Sequence, residues 1–154
     1  MGMHIYFLSY VARSGSTLLS REIEQLSNVL VTPEARFPDS LIGINNTVIL
    51  NDNKSLTNYV NYLFDDYKLR TWGIPKQALL NKVNQDMEYP IHTYRIFPEL
   101  IGLYAELMQF KGKAVVVKEN IRCLRSLNFL CSNQVVKGAI VLKRDPRSVY
   151  LSQK

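Results

Sequence analysis

Four short, almost uninterrupted apolar runs constrain this chain more than any other feature: His4 to Ser9 (HIYFLS), Asn28 to Thr32 (NVLVT), Ala114 to Lys118 (AVVVK) and Ala139 to Lys143 (AIVLK). A strand with one wet face alternates apolar and polar residues, whereas a strand covered on both faces reads as a continuous apolar run. Their shortness and β-branched content favour strands over pieces of buried helix. Helical periodicity fills the spaces between them, and strands alternating with helices make a parallel sheet covered by helices on both faces. The predicted fold is therefore α/β: three layers, with a central, mostly parallel sheet flanked by helices.

The first helix is expected from Ser16 to Leu26, where Leu19, Ile23 and Leu26 form one apolar stripe. A second runs from Leu56 to Leu69 with Leu56, Val60, Leu63 and Tyr67 on one face. A third follows Pro98 and uses Ile101, Tyr104 and Met108, and a fourth carries Ile121, Leu124, Leu127 and Cys131. Residues 35–95 are less regular and rich in Tyr and Asn. They read as a mostly helical insertion at the C-terminal side of the sheet, a place where such segments often carry substrate contacts. A last helix is expected to start at Asp145-Pro146, with Asp145 capping and Pro146 in the first turn. It stops at Lys154 after barely two turns, so 1–154 is expected to be one domain that is incomplete at its C-terminus.

The 154 residues, 47% hydrophobic and 21% charged, exclude a disordered tail, a collagen-like repeat and a coiled coil. No apolar stretch approaches the length of a membrane span, and the first run lacks the flanks of a signal peptide. A cytoplasmic location is the expectation. Nineteen Lys and Arg against thirteen Asp and Glu give a net charge of +6, which favours an anionic partner. Cys123 and Cys131 stand in no CxxC or Cys/His cluster; they read as buried thiols on one helix rather than a disulfide framework or zinc site.

Two turns carry the features of phosphate sites. After the first strand, Arg13-Ser14-Gly15-Ser16-Thr17 leads into a helix. Such a corner presents backbone N–H groups at the positive end of the helix dipole. Gly15 permits a turn that a Cβ would hinder, the three hydroxyls add donors, and Arg13 adds a fixed charge. Neither GxxxxGK[ST] nor GxGxxG is present, which counts against nucleotide hydrolysis and a dinucleotide fold. After the last strand, Arg144-Asp145-Pro146-Arg147-Ser148-Val149-Tyr150-Leu151-Ser152 opens another capped helix. Ser148 and Ser152 share a helix face, and Arg144 with Ser152 suits a terminal phosphate.

Together the two motifs resemble the PAPS-dependent sulfotransferase superfamily (PAPS, 3′-phosphoadenylyl sulfate). RSGST looks more like the bacterial, carbohydrate or tyrosyl-protein branches than the cytosolic small-phenol enzymes. The resemblance implies a P-loop-like sulfotransferase fold, here truncated. It implies that Arg13, Ser14, Gly15, Ser16 and Thr17 bind the 5′-phosphosulfate and that Arg144 and Ser152 bind the 3′-phosphate. PAPS is then the sulfuryl donor and 3′-phosphoadenosine 5′-phosphate (PAP) the product, with no metal. The acceptor is a hydroxyl on a carbohydrate or other small molecule. Lys118 resembles a family lysine that contacts the sulfuryl group. Cytosolic members carry a histidine base two residues beyond it; here that residue is Asn120, which can orient an acceptor but cannot take its proton.

Glu34 is the candidate base, because Val31-Thr32-Pro33-Glu34 should emerge at the sheet's C-terminal edge beside the phosphate loop. Arg13 is the candidate for stabilising the leaving phosphate. His4 reads as structural, and His92 as a weak candidate for the acceptor site. Two other readings stand beside this one. A catalytically incomplete fragment would bind the nucleotide without turnover. A basic nucleic-acid-binding domain would use the tyrosines for stacking.

Overall fold

The computed structural model describes residues 3–10, 15–34, 48–120 and 124–143. Strand β1 (His4–Tyr10) leads to helix α1 (Ser16–Glu24) and strand β2 (Val29–Val31). Next come a short strand β3 (Ile49–Leu50) and helices α2 (Asn53–Asp65), α3 (Tyr67–Arg70) and α4 (Lys76–Asp86). A second short strand β4 (Ile91–His92) and a 3-10 turn (Thr93–Arg95) precede helix α5 (Ile96–Leu107). Strand β5 (Ala114–Asn120), helix α6 (Leu124–Ser132) and strand β6 (Gly138–Leu142) complete the described chain.

Strands β1, β2, β5 and β6 form one parallel sheet in the order β2-β5-β1-β6, while β3 and β4 make a separate antiparallel ladder. The fold is thus mixed α/β, with a central parallel sheet flanked by helices. The third long strand lies between the second and the first. That order differs from both the dinucleotide order 3-2-1 and the flavodoxin order 2-1-3.

Alternation along the central strands sorts their side chains between two layers. Ile5 and Phe7 of β1 and Val115 and Val117 of β5 face the larger core, which α2, α4, α5 and α6 close. Phe7 stacks on Phe97 of α5 at 5.7 Å between ring centroids. Leu8, Tyr10, Val31 and Val116 face the other side, against Leu19 and Ile23 of α1. The buried surface of α1 also includes Ser16 and Ser20, whose small side chains admit close approach to the sheet. Leu26 lies beyond the helix end and is 56% exposed, so the expected stripe stops at Ile23.

Strand β6 departs from the expectation of coverage on both faces. Ile140 and Val141 are 43% and 42% exposed, and among the described residues β6 pairs only with β1. An apolar run identifies a strand but not its place in the sheet. Here it is an edge, bracketed by exposed Lys137 and Lys143, charges that discourage further pairing.

The helix expected over Leu56–Leu69 is two helices. Asp66 leaves helical geometry (φ −66°, ψ 116°), and its side chain accepts a hydrogen bond from the Lys68 N–H at 2.8 Å, starting α3 afresh. The break turns the chain, so Leu56, Val60 and Leu63 stay buried while Tyr67 is 56% exposed. Helix α5 begins two residues before Pro98, and Met108 falls past its end and is exposed. Gly73, with φ +74°, occupies a conformation that favours glycine just after α3. Beside it Trp72 packs on Tyr104 at 4.9 Å.

Candidate functional site

The order of strands decides where a site can form. From β1 the chain passes to α1 on one face, whereas from β5 it passes to α6 on the other. Because β1 and β5 are neighbours, their C-terminal ends diverge and leave a crevice between them. Tyr10 pairs with Asn120 at that point. Ligands of open parallel sheets bind at such a switch point.

Helix α1 opens at the crevice. Gly15 precedes it at φ +90°, in the left-handed region, and a Cβ added there would meet nothing within 4 Å. The Gly15 carbonyl accepts the first helical hydrogen bond, from the Leu19 N–H at 3.1 Å. Among the described residues no side chain caps this end and no acidic residue occupies the first turn, so none of them sets an anion against the helix N-terminus. Ser16 is buried and Thr17 exposed. The Lys118 ammonium, arriving from β5, lies 3.5 Å from the Thr17 hydroxyl and 5.6 Å from the centroid of the Tyr10 ring. Gly15, Ser16, Thr17 and Lys118 therefore meet at one corner.

The second strand brings Glu34 to the same edge. Thr32 fixes its approach: its N–H donates to the Val116 carbonyl at 2.9 Å. Its hydroxyl accepts from the Lys118 N–H at 3.2 Å and donates to the Pro33 carbonyl at 2.9 Å. One buried threonine thus ties the backbone of Lys118 to the segment that carries Glu34. The Glu34 carboxylate forms an ion pair with Lys68 of α3, and the Tyr10 phenol makes a hydrogen-bonding contact with it. Burial pushes the Glu34 carboxyl up, but Lys68, Tyr10 and Lys118 together outweigh this and hold it below the usual carboxylate range. Burial and then the negative charge of Glu34 raise the Tyr10 phenol, which stays a neutral donor.

Thr17, Thr32, Glu34 and Lys118 border a cleft of about 270 Å³. Thr17, Ser20, Arg21 and Glu24 of α1 form one wall, and Thr32, Pro33 and Glu34 form part of the other. Lys118 lies at the end near Thr17, and Tyr104 also lines the space. The lining is rich in hydroxyl and charged groups. It suits a polar ligand better than a flat apolar one.

Neither a protein-family model nor a curated protein nor a solved structure matches the chain.

Of the residues singled out in the sequence, Gly15, Ser16, Thr17, Lys118 and Glu34 share this edge. Arg13, Ser14, Cys123, Arg144, Ser148, Ser152 and the helix expected from Asp145 lie outside the described residues. So does the side chain of Asn120, whose backbone pairs with Tyr10. His4 opens β1 and is exposed. His92 sits in the β3–β4 ladder against Tyr94 and does not line the cleft. Cys131 is half-buried on α6, and burial pushes its thiol up. Among the described residues, no group of three or more His, Cys, Asp and Glu is placed to hold a metal, and no helix is long and apolar enough to cross a membrane.

Three participants were not legible in the sequence: Tyr10, Thr32 and Lys68. Tyr10 looked like the first residue of a loop, whereas it is the last of β1. Thr32 carried no signal beyond ending an apolar run. Lys68 comes from the insertion, and the Asp65-Asp66 pair before Tyr67 was the one local cue that the helix restarts there.

Proposed function

We propose that the chain is a PAPS-dependent sulfotransferase, transferring the sulfuryl group to a hydroxyl of a carbohydrate or similarly polar small molecule. The observation that carries this reading is the convergence of an open glycine corner, the N-terminus of α1, the Lys118 ammonium and the Glu34 carboxylate on one edge. The strand order supports it, since it puts the end of β1 and the start of α1 at the switch point and sets β6 beside β1.

PAPS supplies the activated sulfuryl group, whose bond to the bridging phosphate oxygen breaks as the acceptor oxygen bonds to sulfur. The first-turn N–H groups of α1, with Gly15, Ser16 and Thr17, would hold the 5′-phosphosulfate. Lys118 would counter charge on the sulfuryl oxygens, and Arg13 charge on the departing phosphate. Arg144 and Ser152 would bind the 3′-phosphate. Glu34 would receive the acceptor proton: it is ionised at neutral pH and borders the cleft an acceptor would occupy. The polar lining favours a sugar over a phenol.

Incubation with PAPS and a panel of sugars, read by mass spectrometry for sulfated product, tests the proposal. Glu34→Gln should lower turnover by roughly 10²- to 10⁴-fold, the usual worth of a general base, while PAP binding persists. Binding of PAP with no sulfated product from any hydroxyl acceptor would reduce the reading to nucleotide binding alone.

A further inference from the structure

Glu34 reaches the cleft from a short segment after β2, and among the described residues no neighbour in that segment bonds to its side chain. What fixes it comes from elsewhere. Lys68 belongs to α3, a single helical turn whose start is set by the Asp66 cap on the Lys68 N–H itself. Its side chain is only 13% exposed, so the ammonium is committed to Glu34 rather than to solvent. From the sheet side, the phenol of Tyr10, a buried residue, lies near enough to the same carboxylate to interact with it. A carboxylate has about four lone-pair positions. Two donors orient it and leave the others for a hydroxyl in the cleft.

We infer that Lys68 is a positioning residue for Glu34, acting together with Tyr10, and that through it the helical segment between β2 and β5 forms part of the site. This rests on the sulfotransferase reading for its chemical meaning but not for its geometry. Among the described residues, the groups facing Glu34 are Lys68 from α3, Tyr10 from β1 and Lys118 from β5, with Arg21 and Glu24 of α1 across the cleft. Among the described residues Lys68 is the cation paired directly with the carboxylate, so its loss should change Glu34 more than loss of Tyr10 or Lys118.

The experiment is carbon-detected NMR titration of the Glu34 side chain in wild-type protein, Lys68→Met, Lys68→Arg and Tyr10→Phe. Methionine keeps most of the apolar stem, and phenylalanine keeps the ring, so both preserve packing. The Glu34 midpoint should move to higher pH in Lys68→Met and in Tyr10→Phe, and return in Lys68→Arg. In turnover, Lys68→Met should lower kcat/KM about 10- to 100-fold, the scale of misplacing one reacting group. It should also shift the acidic limb of the pH profile upward. A Glu34 midpoint unmoved by Lys68→Met overturns the inference. So does a turnover loss with an unshifted acidic limb. The titration needs no nucleotide: a midpoint that moves as expected in a protein that binds no PAP retires the sulfuryl-transfer reading and leaves the clamp standing.

Discussion

Thr32→Val isolates the brace between the two sides of the site. Valine has nearly the shape of threonine but lacks the oxygen that accepts from the Lys118 N–H at 3.2 Å and donates to the Pro33 carbonyl at 2.9 Å. Thr32 is 3% exposed, so water does not readily replace the lost partner. An unpaired, largely buried N–H costs about 1–3 kcal/mol. For a chain of this size each kcal/mol lowers Tm by roughly 2–4 °C, so a fall of about 2–12 °C is expected. The assay is thermal unfolding by circular dichroism of Thr32→Val beside Thr32→Ser, which keeps the hydroxyl. Serine should retain most of the stability and valine should not. Thr32→Val matching or exceeding Thr32→Ser in Tm would refute the claim that the hydroxyl bridges Lys118 and the Glu34 segment.

Phe97→Ala tests the larger core. The side chain is fully buried and stacked on Phe7, and its loss should cost about 3–5 kcal/mol in urea unfolding. A loss below about 1 kcal/mol would contradict that packing. The acid limb of stability tests the Glu34 ion pair. The folded-state carboxyl titrates below its ordinary value of 4.5, so the ion pair contributes fully above that value and is lost as pH falls through the lowered one. Tm should therefore decline less steeply below pH 4.5 in Glu34→Gln than in the wild type, and parallel declines would remove the ion pair from the account.

The sheet was legible because burial on both faces leaves a continuous apolar run, and the runs at β1, β2 and β5 end within one or two residues of their expected limits. The run at β6 was read correctly as a strand but wrongly as covered, since the same residues serve an edge. Helices were legible where an apolar stripe persisted. They failed where a cap interrupts the stripe, as Asp66 does between Leu63 and Leu69. In the site, Gly15, Thr17, Lys118 and Glu34 were legible because each sits at a strand end or helix start whose place in the sheet follows from the order of elements. Lys68 and Glu34 are partners only through the path of the chain between β2 and β5, and no periodicity encodes that meeting. Tyr10 was hidden for a simpler reason: one extra residue of strand turns a loop tyrosine into the floor beneath Lys118.

The most direct measurement is isothermal calorimetry with PAP and with 5′-AMP, on the wild type and on Arg144→Ala. Charge-assisted hydrogen bonds to a phosphate are worth about 1.5–3 kcal/mol, so PAP should bind the wild type at least about tenfold more tightly than 5′-AMP. Arg144→Ala should erase most of that difference. Equal affinity of the wild-type chain for the two nucleotides would contradict the proposal that its two basic turns grip one adenosine bisphosphate.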